Sequence, residues 1–148
     1  MPKKPVIDAD HVLRWVPKTK LTHDPDTMEI RGLQPIAFKL NEKEEYLSAA
    51  WLEYYGGTDD EQIKAASQKL GSIIQARKTG AFALGNVGKI RTDSLAQSGV
   101  TVSVFNDGTP AHPAYAKVYG VPRDDDALQA LLALKSWSKL IKAIDVLP

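Results

Sequence analysis

Apolar residues recur most clearly with a helical spacing between positions 58 and 80. Ile63, Ala66, Leu70, Ile73 and Ile74 fall on one side of a helix. Thr58 stands at the N-cap with Glu61 three residues on, and Asp59 and Asp60 put negative charge where the helix dipole favours it. Arg77 and Lys78 occupy the expected last turn, with Gly80 as the stop. A second helix is expected over 44–55. There Leu47, Ala50, Trp51 and Tyr54 share a face, Asn41 and Glu44 have capping-box spacing, and Gly56-Gly57 closes the run.

Alternation marks the strands. Val100, Val102 and Val104 alternate with Thr101, Ser103 and Phe105, and Tyr115, Lys117 and Tyr119 alternate with Ala116 and Val118. Ala81–Leu84 is a short apolar run without polar partners and reads as a buried strand. Ile36–Leu40, opened by Pro35, suits an edge strand. The segment 11–16 fits either a helical turn capped by Asp8 or Asp10, or a strand ended by Pro17. Residues 28–33 read as a loop or a weak strand after the Asp24-Pro25 turn. Gly85-Asn86-Val87-Gly88 leads into a brief helix over 89–98 that Gly99 ends. Asp124, Asp125 and Asp126 open another helix that buries Leu128, Leu131, Leu132 and Leu134, and Trp137, Leu140, Ile141 and Ile144 continue it or begin a further one. Residues 1–8, with Pro2, Lys3, Lys4 and Pro5, read as a flexible tail. The fold expected from this order is α+β: one domain over 1–148, with a small, partly antiparallel sheet packed by three to four helices.

Composition narrows the chemistry. The 148 residues carry 19 Lys and Arg against 18 Asp and Glu, a net charge of +1, so no global basic excess points to nucleic acid. There is no cysteine, which excludes disulfides, thiolate metal ligands and cysteine nucleophiles. No apolar run approaches the roughly 20 residues that span a bilayer, so no membrane role is expected and a cytoplasmic location is the natural reading.

Candidate chemistry gathers around His112. A histidine in a loop after a strand can act as general acid or base, with Asp107 orienting its ring and Lys89 and Arg91 clamping an anion. Gly85–Lys89 follows a strand but has neither phosphate-loop nor dinucleotide spacing, because Ile90 follows Lys89. His23 with Asp24 and Asp26 lacks metal-ligand spacing, and neither a metal nor a cofactor is expected. His11 and Arg14 belong either to a site or to the rim of the core around Trp15. Two aromatic groups suit partner binding: Trp51, Tyr54 and Tyr55 before two glycines, and Tyr115 with Tyr119 on one strand face.

These features favour a non-catalytic protein-binding or accessory module acting through a protein partner or self-association. The alternative is a hydrolase or phosphoryl-transfer enzyme, nuclease-like, using His112 with Lys89 and Arg91. A third reading is nucleic-acid binding through Lys18, Lys20, Lys89 and Arg91.

Overall fold

The computed structural model describes residues 3–137 and 139–148. Seven strands join one sheet: β1 (Lys4–Pro5), β2 (His11–Val16), β5 (Tyr46–Trp51), β6 (Ala81–Asn86), β7 (Ser103–Asn106), β8 (Tyr115–Tyr119) and β9 (Lys139–Lys142). Their spatial order is β1-β7-β8-β5-β2-β6-β9, and every neighbouring pair is antiparallel. β3 (Leu21–His23) and β4 (Ile30–Leu33) form a separate antiparallel pair. This corrects the small, partly antiparallel sheet expected from the sequence.

The difference has a physical origin. β5 is the middle strand, and Leu47, Ala49 and Ala50 are all buried in it. Burial of Ala50 directly after Ala49 breaks the period-two alternation that Tyr46 to Ala49 otherwise keep. The same residues fit a helical stripe, so the helix expected over 44–55 is instead β5 followed by a single 3-10 turn, Leu52–Tyr54. Ile36–Leu40 is likewise no strand: Pro35–Phe38 form a 3-10 turn that buries Ala37 and Phe38. The continuation beyond Trp137 is the edge strand β9, then one helical turn, α4 (Ala143–Val146). Residues 4–6 are tied down, because β1 pairs with β7 and Val6 is buried. Residues 1 and 2 of the expected tail lie outside the described residues.

The helices follow local signals more closely. α1 (Asp59–Ile74) begins with the complete Thr58–Glu61 capping box. It ends at Gln75 in the left-handed conformation, short of Gly80, and its apolar stripe runs out so that Ile73 and Ile74 are exposed. α2 (Val87–Ser98) is capped by the Asn86 side chain, which accepts from the Lys89 N–H, and ends at Gly99 with φ of 65°. α3 (Asp126–Leu131) starts at Asp125, whose side chain accepts from the Leu128 N–H, and runs into a π-helical turn over Leu132–Ser136. Leu128 and Leu132 are fully buried, whereas Leu134 points outward.

The sheet separates two apolar layers. On one side, α1 and α4 cover Leu13, Ala50, Phe82 and Leu84. On the other, α2, α3 and the π turn cover Val12, Leu47, Ala49, Ala83, Val104, Ala116 and Val118, with Trp137 fully buried against Phe38. The first layer ends at β5. Nothing from β7 or β8 belongs to it.

Candidate functional site

Where the first layer stops, the same sheet face continues uncovered. In β8, Tyr115, Lys117 and Tyr119 remain partly exposed while Ala116 and Val118 are buried. The register places Tyr46 opposite Tyr119, Ser48 opposite Lys117, and Phe105 opposite Lys117. Directly opposed residues share a face, so Phe105, Tyr119, Tyr46 and Tyr115 form one aromatic row across three strands. Their ring centroids follow at 6.1, 5.5 and 6.3 Å in tilted or edge-on arrangements. The Lys3 ammonium sits 4.5 Å over Phe105 and 4.6 Å over Tyr119, and Lys117 sits 4.6 Å over Tyr46. Lys117 also donates to Asp107 at 2.7 Å. That bond holds the Asp107 carboxyl below its usual range and raises the lysine.

His112 closes one end of this row, its ring stacked on Tyr115 at 5.2 Å and 6°. The loop that carries it is tightly specified. The Asn106 amide donates to the carbonyls of Pro113 and Tyr115, and the His112 N–H donates to the Thr109 hydroxyl. A Cβ at Gly108 would stand 2.2 Å from the Pro113 carbonyl oxygen, so only glycine permits this closure. The imidazole is 7% exposed, and its Nε2 has no hydrogen-bond partner. Burial, with Lys69 adding to it, pushes the His112 pKa below its ordinary value, so the ring is neutral at neutral pH.

His112, Tyr115 and Ser48 line a cavity of about 420 Å³ together with Arg14, Trp15, Lys20 and the α1 residues Leu70, Ile73 and Ile74. The cavity follows from a local opening of the sheet. β2 pairs with β5 only at Val12–Trp51 and Leu13–Ala50, and then the strands part. Arg14 occupies the gap: its Nε donates to the Ala37 carbonyl at 3.0 Å and its Nη1 to the Ser48 carbonyl at 2.8 Å. No carboxylate lies within ion-pair distance of it among the described residues. Burial lowers its pKa to about 10 against the opposing influence of Glu44. Beside the guanidinium, the Ser48 hydroxyl, the Tyr115 phenol and the Tyr46 phenol form a chain with 3.2 Å steps.

The other residues singled out from the sequence fall elsewhere. Asp107 turns to Lys117 and makes no bond to His112. Arg91 pairs with Asp8 at 2.6 Å in a separate cavity of about 190 Å³. Lys89 lines a third cavity, of about 300 Å³, with His11, Glu53, Asn86 and Lys139. There Glu53 accepts from the His11 N–H at 2.7 Å and lies 2.8 Å from its Nδ1. Trp51, Tyr54 and Tyr55 form their own cluster beyond the far end of β5, and the Trp51 Nε1 donates to Asp10 at 2.9 Å. Lys18 and Lys20 lie on a 3-10 turn, and among the described residues no one cavity is lined by two of the four cations of the nucleic-acid reading. Among the described residues no cluster of His, Asp and Glu fits a metal ion, and no helix is long and apolar enough to cross a membrane.

Sequence reasoning did not find Tyr46, Phe105, Glu53 or the cavity role of Arg14. The alternation of Ser103 and Phe105 could have signalled Phe105, but the others depend on which strands become neighbours. No protein-family model, curated protein or solved structure matches the chain.

Proposed function

We propose that this protein is a binding module that engages a protein partner through the uncovered face of β5, β8 and β7. The observation that carries this reading is the row Phe105–Tyr119–Tyr46–Tyr115, which lies outside both apolar layers and is flanked by Lys3 and Lys117. Partly exposed aromatics on a rigid sheet supply large contact area at little cost in side-chain entropy, and such residues dominate interface energies. Lys3, which makes no ion pair among the described residues, makes an acidic partner surface the complementary one, Lys117 being already paired with Asp107. The two lysines also weigh against a nucleic acid: both ammonium groups already occupy ring faces on which bases would stack.

The test is site-specific photo-crosslinking in cells, with a photoreactive phenylalanine in place of Tyr119 and, as control, of Lys64 on the outer side of α1. A discrete protein adduct at position 119 and none at 64 is the expected result. An adduct of twice the chain mass makes the partner a second copy. Equal labelling at both positions, or an adduct removed by nuclease, defeats the proposal.

A second reading, hydrolysis or phosphoryl transfer, has its support at His11 rather than His112. Glu53 orients the His11 imidazole, and Lys89 and Lys139 line the same cavity as candidate anion ligands. Loss of phosphoester turnover in His11→Ala, with turnover kept in His112→Ala, would establish it.

A further inference from the structure

The cavity between α1 and the parted strands β2 and β5 has a composition that the docking face does not require. Three observations converge there. Arg14 is partly buried, keeps one side on the cavity, and has no carboxylate within ion-pair distance among the described residues. A partly buried cation without a counter-ion favours a ligand that supplies the opposite charge. His112, 7% exposed, leaves Nε2 without a hydrogen-bond partner in a residue that lines the same space. Trp15, Leu70, Ile73 and Ile74 give the lining an apolar wall beside the polar Lys20, Ser48 and Tyr115, with the two isoleucines 42% and 41% exposed at the end of α1.

We propose that this cavity binds a small monocarboxylate carried on an apolar body, its carboxylate on the Arg14 guanidinium and its hydrocarbon against Trp15, Leu70, Ile73 and Ile74. The volume, about 420 Å³, lies within the range of small-molecule sites. Arg14 has five N–H donors, of which Nε–H and one on Nη1 are committed to the carbonyls of Ala37 and Ser48, so donors remain on Nη1 and Nη2. The Ser48 and Tyr115 hydroxyls stand beside them. One partly buried positive charge matches one delocalised negative charge. A phosphate dianion would leave a second charge to be met by Lys20 at the cavity wall and by Lys69, whose charge reaches His112, while the ring itself is neutral. Glu44, the carboxylate that most influences Arg14, is engaged by the Asn41 N–H and does not fill this role. The inference is independent of the protein-binding reading, since its ligand is a small molecule and its decisive residue, Ile73, lies on α1.

Isothermal titration calorimetry with octanoate, octanamide and inorganic phosphate tests it, alongside the nitrogen resonances of His112. Octanoate is expected to bind and shift the His112 signals, with octanamide and phosphate each weaker by about tenfold or more, the scale of a lost charge-assisted contact. Arg14→Gln should abolish the preference for acid over amide. Should that variant lose its fold, Ile73→Glu decides, because it places a like charge at an exposed position. It should weaken octanoate about tenfold at unchanged melting temperature, while Leu95→Glu, at a more exposed leucine on α2, should not. Failure of octanoate to bind, equal affinity for acid and amide, phosphate binding as tightly as octanoate, or equal effects of the two glutamate variants would overturn the proposal.

Discussion

One sheet serves two purposes in this molecule. At β2, β6 and β9 both faces are packed: Leu13, Phe82 and Leu84 lie under α1 and α4, and Val12, Val16, Ala81 and Ala83 lie under the opposite layer. At β5, β8 and β7 the second layer persists under Ala116, Val118 and Val104, but the first is replaced by tyrosines, a phenylalanine and lysines that stay partly exposed. The contrast shows that composition follows covering rather than strand type. Where a helix lands, the face is aliphatic with Phe82; where none lands, rings stack on rings and cations close over them. The boundary between the halves runs along the gap that Arg14 fills.

Substitutions can test that division, beginning with the largest effect. Phe82→Ala, at a fully buried ring 5.2 Å from Trp15, should destabilise by about 3–5 kcal/mol in urea unfolding. Tyr119→Ala at the open half should cost about 1 kcal/mol or less, since it forfeits only ring and cation contacts. Comparable losses at the two sites would mean the open half is as much core as the covered half. Gly108→Ala lies at the loop between β7 and β8. Its new Cβ meets backbone rather than a flexible side chain, so a loss of about 1–3 kcal/mol is expected, with disturbed resonances for His112.

A smaller effect sharpens the boundary itself. The pKa of His112 is lower in the folded protein than its ordinary value of 6.5, so the unfolded chain binds the proton more readily. Its contribution to stability is complete above that ordinary value and is lost as pH falls from there through the native pKa. Urea midpoints at about pH 7.5 and about pH 5.5 should therefore differ less in His112→Gln than in the parent protein. An unchanged difference would place the ring in water. Smallest of all, Lys117→Met should leave stability nearly unaltered, because the pair with Asp107 is exchanged against water and salt, and thermal melts should agree within about 0.5 kcal/mol.

Local signals were legible in the sequence, and neighbour choice was not. Thr58 and Glu61 announce the start of α1 because a capping box is complete within four residues. Gly99 ends α2 for an equally local reason, its positive φ. The alternation of Tyr115–Tyr119 correctly predicts a strand, but one that lies inside the sheet between β7 and β5 rather than at an edge. β5 was hidden because Leu47, Ala50, Trp51 and Tyr54 satisfy helical spacing, and the burial of Ala50 beside Ala49 breaks the alternation begun at Tyr46. β9 was hidden by the helical run before it. At the site, His112 and Tyr115 were visible as residues of interest, and the structure stacks them. Their union with Arg14 was not readable, because it depends on where the β2–β5 ladder gives way. Lys89 was drawn toward His112 by residue type, whereas the start of α2 brings it beside His11.

The pairing of Lys4 with Asn106 also sets a schedule for synthesis. Residues 4 and 5 have no strand to join until about 100 further residues have been made, about 5–20 s at ordinary elongation rates. Lys3 can come to rest over Phe105 and Tyr119 only after that. The N-terminal segment, Lys3 included, is thus without its partner strand for as long as β7 has yet to be made, and a chaperone or an early partner would meet it before Phe105 and Tyr119 do.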